Sequence, residues 1–278
     1  MKKNKFVEGL VSIIITTKNS AATTKSLLIS IKDQTYKKYE IIVVDNQSTD
    51  GTKEIALFFT RKVYDKGPER SAQRNFGVSK SSGKCLLFLD SDMVLTGNVL
   101  KECIEKFKVS QEKLGGVVIP EKSFGSGIWA KAKALERKIN SGETYFESAR
   151  FIPKNIFYKF KGFDEGMTGP EDWDLPQRIA KKYTMDRIKS LILHNEGDLK
   201  LSTLYKKKFY YGLSVHKYLR RQNLPIIGPT TVYFLRPAFY KNWNLLFRKP
   251  YLSFVMIIML SVELFGGGLG YIIGRLRR

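Results

Sequence analysis

Asp90 and Asp92 flank Ser91 where the apolar run LLFLD stops. In an extended backbone alternate side chains share a face. A D-x-D segment can therefore offer two carboxylates to one hard cation, Mn2+ or Mg2+. Such a cation can bridge to phosphates and neutralise a diphosphate as it leaves. One D-x-D is a weak signal, but a third carboxylate, Asp45, ends a second apolar run, YEIIVVD. A cap or a loop explains each acid singly and the set less well. A second acidic group, Glu171, Asp172 and Asp174, brackets Trp173 just after Gly169. An acidic first helical turn is ordinary. As chemistry, one of these carboxylates could deprotonate an incoming hydroxyl, and Trp173 could wall a sugar or fill the core. Arg70 and Arg74 are four apart on one side of a helical pattern. They could bind phosphate, pair with a carboxylate such as Asp65, or stand in solvent. His194 ends another apolar run, SLILH, and is a weaker candidate ligand; His216 reads as structural.

These residues need strand ends to hold them. VSIIITT (11–17), YEIIVVD (39–45), RKVYD (61–65), KCLLFLD (84–90) and GGVVIP (115–120) read as short buried strands. Helical patterns lie between them at 21–33, 69–81 and 97–108. The alternation predicts an open, mostly parallel α/β sheet covered on both faces. Such sheets bind ligands at the carboxyl ends of their strands. After residue 121 the alternation weakens: a glycine-bearing loop leads into a basic helix (123–139), then come an aromatic stretch (143–165), a helix near 169–183 and an apolar strand near His194. Pro176 limits where that helix can begin. Cys85 and Cys103 read as buried thiols, not a disulfide framework.

Three blocks, in order, resemble the inverting glycosyltransferases of the GT-A fold, family 2. The first is VSIIITTKNSAATTKSLLISIKDQTYKKYEIIVVDNQSTDGT; the second is ERSAQRNFGVSKSSGKCLLFLDSD; the third is GFDEGMTGPEDWDLPQRI. The resemblance covers roughly residues 10–198, with Gln73 in the place before Arg74 of the family's A-R-N-x-G helix. It implies that Thr16, Lys18 and Asn19, with Asp45 and Asp50, hold the base and ribose of a nucleotide-sugar donor, UDP slightly preferred over GDP. It implies that Asp90 and Asp92, either side of Ser91, hold a divalent cation and the donor diphosphate, with Arg70 and Arg74 near the phosphates. His194 would be a late metal ligand, Asp172 the general base with Glu171 beside it, and Gly169 and Trp173 would lie on the acceptor side. The implied reaction is a single displacement with inversion. A retained base favours a saccharide hydroxyl as acceptor over a bare polyprenyl phosphate, which is already ionised.

The chain has 278 residues, and its 48 Lys+Arg against 26 Asp+Glu leave a charge of +22. That excess calls for nucleic acid, nucleotide phosphate or anionic lipid. From Leu199 onward there are fourteen Lys/Arg and one acid, Glu263, together with the greasiest segment of the chain. Basic and apolar together point to a membrane rather than to nucleic acid; single-stranded RNA is the weaker alternative for the aromatic, basic stretch 204–221. YLSFVMIIMLSVELFGGGLGYII (251–273) is long enough to cross a bilayer, although Glu263 sits at its middle and a docked or in-plane helix is the other reading. Gly266, Gly270 and Gly274 recur every four residues and suit close approach of another helix, self-association included. The expected organisation is a catalytic domain (1–198; donor half 10–120, acceptor half 121–198), a basic surface helix and linker (199–250) and a membrane helix (251–274). No signal peptide is visible at MKKNKFVEGL, so the catalytic domain is expected on the cytoplasmic side of the cell membrane, extending a lipid-linked saccharide. A polyprenyl-phosphate glycosyltransferase and a non-catalytic nucleotide- or RNA-binding membrane protein are the alternatives.

Overall fold

The β-branched run VEGLVSIIITT forms β1 (Val7–Thr17), an interior strand of the main sheet of a computed structural model that describes residues 7–143 and 147–277. The first residues of the chain, 144–146 within the aromatic stretch and Arg278 lie outside the described residues. Then follow α1 (Ala21–Lys32), β2 (Tyr39–Asp45), α2 (Thr52–Leu57), β3 (Val63–Asp65), α3 (Arg70–Ser79), β4 (Gly83–Asp90), β5 (Met93–Leu95), α4 (Val99–Ser110) and β6 (Leu114–Val118). The second half adds β7 (Glu121–Ser126), α5 (Gly127–Ile139), β8 (Ala149–Pro153), α6 (Lys154–Lys159), α7 (Glu171–Ala180), β9 (Thr184–Arg187) and β10 (Ile192–Asp198). It ends with α8 (Leu201–Arg221), α9 (Pro237–Lys241), α10 (Trp243–Arg248) and α11 (Pro250–Leu276).

The chain divides into two units. The first comprises Met1–Pro120, Ser148–Glu165 and Leu175–His194; the second comprises Glu121–Glu147, Gly166–Asp174 and Asn195–Arg278. The expected acceptor half, 121–198, is thus shared between them, and the C-terminal tail belongs to the same unit as α5.

The first unit is built on a seven-stranded sheet of order β3-β2-β1-β4-β8-β6-β9. β3, β2, β1 and β4 run parallel, as expected. The sheet as a whole is mixed, because β8 lies antiparallel between β4 and β6. Successive strand residues point to opposite faces, and both faces are covered. Ile13, Ile15, Leu87 and Leu89 pack with Leu27, Leu28 and Ile31 of α1 and with Cys103 of α4. Ile14, Leu86 and Phe88 pack with Val78 of α3, Phe157 of α6 and Ile179 of α7. Gly77 lets α3 lie close on β1, since a Cβ there would stand 2.6 Å from a methyl of Ile14. Cys85 and Cys103 are buried free thiols; burial pushes the Cys85 thiol up to about 12.

Two local expectations change. Residues 123–126, expected to lie in a glycine-bearing loop, belong to the strand β7. α7 begins at Glu171 with Pro176 inside it, so the carbonyl of Asp172 lacks the N–H that would normally bond it one turn on.

The second unit is mostly helical, with β7 and the end of β10 as its strand residues. Ala132, Leu135 and Ile139 of α5 pack with Leu204 of α8 and with Val255, Met256, Met259 and Leu260 of α11. Glu263 is fully buried in α11 and pairs with Lys133 of α5 at 2.9 Å and Lys208 of α8 at 3.1 Å. Lys133 also binds Glu136 at 2.6 Å, and Arg236 stands 3.5 Å from Glu136. Burial alone would raise the Glu263 carboxyl; the two ammonium groups outweigh it and hold the group below the usual carboxylate range. The glycine row does meet a helix. A Cβ on Gly266, Gly270 or Gly274 would run into the backbone carbonyl oxygens of Tyr205, Phe209 and Leu213. These glycines, expected to suit close approach of another helix, meet α8 of the same chain, whose own Gly212 faces Gly270.

Candidate active site

Strand register brings the carboxylates of the first unit together. Thr16 lies opposite Val44 on β2 and Asp90 on β4, and Thr17 lies opposite Asp45. The carboxyl ends of β1, β2 and β4 thus share one edge of the sheet.

Asp45 is buried. It accepts hydrogen bonds from the Thr17 hydroxyl, the Ser48 amide and the Ser48 hydroxyl, each at 2.6 Å. The Asn19 amide donates to Ser48 Oγ at 2.7 Å, and Asn19 Oδ1 accepts from the Thr49 amide at 2.9 Å. Asp50 accepts from the Ala21 amide at 3.0 Å and from the Thr52 hydroxyl. The Thr52 hydroxyl and the Ala21 amide lower its carboxyl from the ordinary value. These bonds tie the loop after β1 to the loop after β2 and leave Lys18 and Asn19 exposed on the rim. Gln73 of α3 closes the floor, its amide donating to the carbonyls of Thr17 and Val44 at 3.1 and 2.7 Å.

Asp90 is held by cations. Arg74, fully buried, donates to Asp90 Oδ1 at 2.8 Å; Arg150 of β8 stands 3.5 Å from Oδ2; the Thr16 hydroxyl is 3.3 Å from Oδ1. Burial raises the Asp90 carboxyl, but the charges of Arg74, Arg150, Arg70 and His194 together hold it well below the usual range. Arg74 therefore pairs with Asp90, whereas Asp65 pairs with Lys53 at 3.1 Å. Arg70 is half-buried at the same edge.

The chain leaves the strand at Asp90, turns through Ser91 and Asp92, and resumes as β5 at Met93. The two aspartates do not share a face of one extended strand, and their environments differ. β10 pairs with β5 so that His194 lies opposite Met93, which sets His194 Nε2 3.2 Å from Asp92 Oδ2. The other oxygen, Asp92 Oδ1, is buried and accepts no hydrogen bond. An orphaned carboxylate oxygen beside an imidazole fits a divalent cation that accepts oxygen and nitrogen ligands. Among the described residues no group of three His, Cys, Asp or Glu side chains converges to hold a metal. A cation at Asp92 and His194 would need ligand oxygens from elsewhere, and a diphosphate can supply them.

In the second unit, the amides of Trp173 and Asp174 donate to the Pro170 carbonyl at 3.0 and 2.9 Å and start α7. Gly169 takes φ +100°, and a side chain there would strike the Tyr211 ring of α8. Trp173 packs on Tyr218 with ring centroids 6.3 Å apart, within the Met167–Tyr218–Leu219 cluster. Asp174 is buried and accepts from Arg221 at 3.2 Å and Gln222 at 3.1 Å. Glu171 is buried as well, so Asp172 is the half-exposed carboxylate of the three.

Residues 12–167, more than half of the chain, match the family described as glycosyl transferase family 2. The chain belongs to that family. Two curated relatives are the glycosyltransferase AglE of Haloferax volcanii, 43% identical over 91 residues (30% of each chain), and the GalNAc(5)-diNAcBac-PP-undecaprenol beta-1,3-glucosyltransferase of Campylobacter jejuni, 27% identical over 176 residues (58% of this chain, 56% of the relative). This chain thus spans from under a third to just over half of their lengths. Among solved structures, the mannosyltransferase PcManGT from Pyrobaculum calidifontis, in complex with GDP-Man and Mn2+, superposes with a TM-score of 0.60 at 16% identity, over 92% of this chain and 73% of that one. The likeness shows a GT-A-like fold: a mixed sheet flanked by helices, with an apolar C-terminal helix.

Two members of the family 2 edge were not singled out from the sequence. Arg150 carries no motif; its only local signal is a cation immediately before the apolar FIP of β8. Ser48 sits in the turn-rich NQSTDGT and reads as a cap until its bonds to Asp45 are seen.

Proposed function

We propose that this family 2 protein transfers a sugar from a nucleotide-sugar donor, with inversion, to a hydroxyl of a lipid-linked saccharide. The carrying observation is the pair Asp92–His194, with its orphaned carboxylate oxygen, next to the arginine-clamped Asp90. A divalent cation held there would supply Lewis-acid charge to the donor diphosphate. Thr16, Lys18, Asn19, Asp45 and Asp50 would receive the nucleoside; their loops are already tied by hydrogen bonds, so little conformational freedom is lost on binding. Arg70, half-buried beside Asp90, would face the phosphates, with Ser91 at the turn. Arg74 is engaged by Asp90 and keeps that carboxylate ionised and in place.

Asp172 would take the proton of the acceptor hydroxyl as its oxygen bonds to the anomeric carbon and the bond to the diphosphate breaks. Asp174, bound by Arg221 and Gln222, anchors the first turn around it, with Glu171 buried beside it. A hydroxyl acceptor needs such a base, and the Campylobacter jejuni relative is named for a diphospho-undecaprenol saccharide. UDP is slightly preferred as the donor nucleotide. The basic, apolar C-terminal region supports placement at the cell membrane; the catalytic residues would face the cytoplasm.

The test is a screen of labelled UDP- and GDP-sugars, with Mn2+ or Mg2+, on membranes containing the protein, followed by identification of the labelled lipid. Transfer to a lipid-linked saccharide, lost in Asp172→Asn, is expected. Label on bare polyprenyl phosphate with Asp172→Asn still active would replace the acceptor assignment. Full turnover by Asp92→Ala would remove the metal-pair assignment.

A further inference from the structure

α11 is 27 residues long, about 40 Å at 1.5 Å per residue, and carries two unlike faces. Ser253, Met256, Met259, Glu263, Gly266 and Gly270 point inward. Phe254, Ile258, Phe265, Leu269, Ile272 and Leu276 recur at spacings of three, four and seven and are exposed. This outward stripe carries no charge until the last turn, at Arg275. Trp243 and Phe247 of α10 add exposed aromatic surface just before it.

The inward face decides how such a helix can meet a bilayer. α8 lies along the C-terminal half of α11, with Tyr205 against Gly266, Phe209 against Gly270 and Leu213 against Gly274. Gly266 is near the middle of α11, and the residues after Tyr205 are Lys206 and Lys207, both exposed. α8 as a whole carries six Lys/Arg and no acid. If α11 crossed the hydrocarbon, exposed lysines would be carried to its centre, where charged side chains are costly. α5, with Lys131, Lys133, Arg137 and Lys138, flanks the N-terminal half in the same way. Packing of α5 and α8 on one side leaves lipid access only to the stripe.

We propose that α11 is an in-plane anchor whose outward apolar stripe rests in the interfacial layer of an anionic bilayer, with both helix ends on the same side. The charge around it fits that partner: fourteen Lys/Arg face one acid from Leu199 onward, and that acid, Glu263, is spent on Lys133 and Lys208. A helix with an apolar face and basic surroundings lies at the headgroup boundary and gains from anionic lipid. The inference deepens the membrane part of the proposed function, but its test requires no sugar transfer, so the two fail separately.

The test uses the full chain in membranes of the expressing cell. Arg248→Cys and Arg277→Cys, one at each end of α11, are labelled with a membrane-impermeant maleimide in right-side-out and inverted vesicles; Cys85 and Cys103 are buried and give little background. Both sites are expected to react from the same face. Purified protein should float with phosphatidylglycerol-containing vesicles, more weakly with phosphatidylcholine alone. Phe254→Glu combined with Phe265→Glu should cut flotation at least tenfold while leaving the thermal unfolding midpoint near that of the unsubstituted chain. Labelling of the two ends from opposite faces would overturn the proposal. So would a stripe that binds a second copy instead, seen as a crosslinked dimer lost in the double variant without any vesicle binding.

Discussion

Asp90 and Glu263 are carboxylates each gripped by two cations, to different ends. Asp90 at the sheet edge is held by Arg74 and Arg150, and Glu263 inside the helical unit by Lys133 and Lys208. Asp90 keeps 15% of its side chain exposed, and two residues away Asp92 holds a buried oxygen without a hydrogen-bond donor. Glu263 is sealed, and the charges around it come from the protein. Similar ion-pair chemistry therefore serves an open edge that can receive a ligand and a closed core that binds three helices together.

The comparison can be broken at four points. Asp92→Ala has the largest expected effect. It removes the half-exposed partner of His194 and should lower kcat/KM for sugar transfer by about 10²–10³-fold. The melting temperature should move by only a few degrees, since no buried ion pair is lost. A large drop in melting temperature with activity retained would reverse the roles of the two regions. Glu263→Gln comes next. Loss of one partner of a buried network costs about 3–5 kcal/mol, or a melting temperature lower by roughly 10 °C for a chain of this size. Titration of labelled donor nucleotide against the folded variant should give an unchanged Kd.

The third is the pH dependence of the same group. The folded Glu263 carboxyl lies below its ordinary value of 4.5. Its contribution is thus complete above that value and is lost as pH falls through the folded value. Lys133 and Lys208 pair with it, and Glu136, Tyr233 and Arg236 complete the cluster around it. Unfolding midpoints measured from pH 7 down to pH 3 should fall less steeply in Glu263→Gln than in the unsubstituted chain; parallel curves would show that other carboxylates control acid stability. The smallest expected effect is Gly270→Ala, which forces a methyl against the Phe209 carbonyl and should cost about 1–3 kcal/mol. Chemical unfolding checks it, and an unaltered midpoint would mean that α8 and α11 can separate at little cost.

Much of the sheet edge that carries Asp45 and Asp90 was legible because strands announce themselves locally. β2 runs from Tyr39 to Asp45 and β4 ends at Asp90, where the apolar runs stop. The parallel order of β3, β2, β1 and β4 follows from helices intervening between short buried strands. The segment 121–126 was less legible: KSFGS has glycine and serine and little alternation, so its strand depends on neighbours. The D-x-D spacing was also misleading in detail, because a turn at Ser91 separates the two acids that an extended backbone would have aligned.

From the sequence alone came the strand-end acids, the acidic start of α7, two buried thiols and a basic, apolar C-terminus. All of these are written in side-chain period and composition, which local backbone geometry reads directly. Tertiary structure alone decided that Arg150 meets Asp90 across 60 residues and His194 meets Asp92 across 102. It also decided that Lys133 meets Glu263 across 130 residues and that the glycine row receives α8. Pairs so far apart in the chain have no shared period; they form only once strand register and helix packing have spent the entropy of bringing them together.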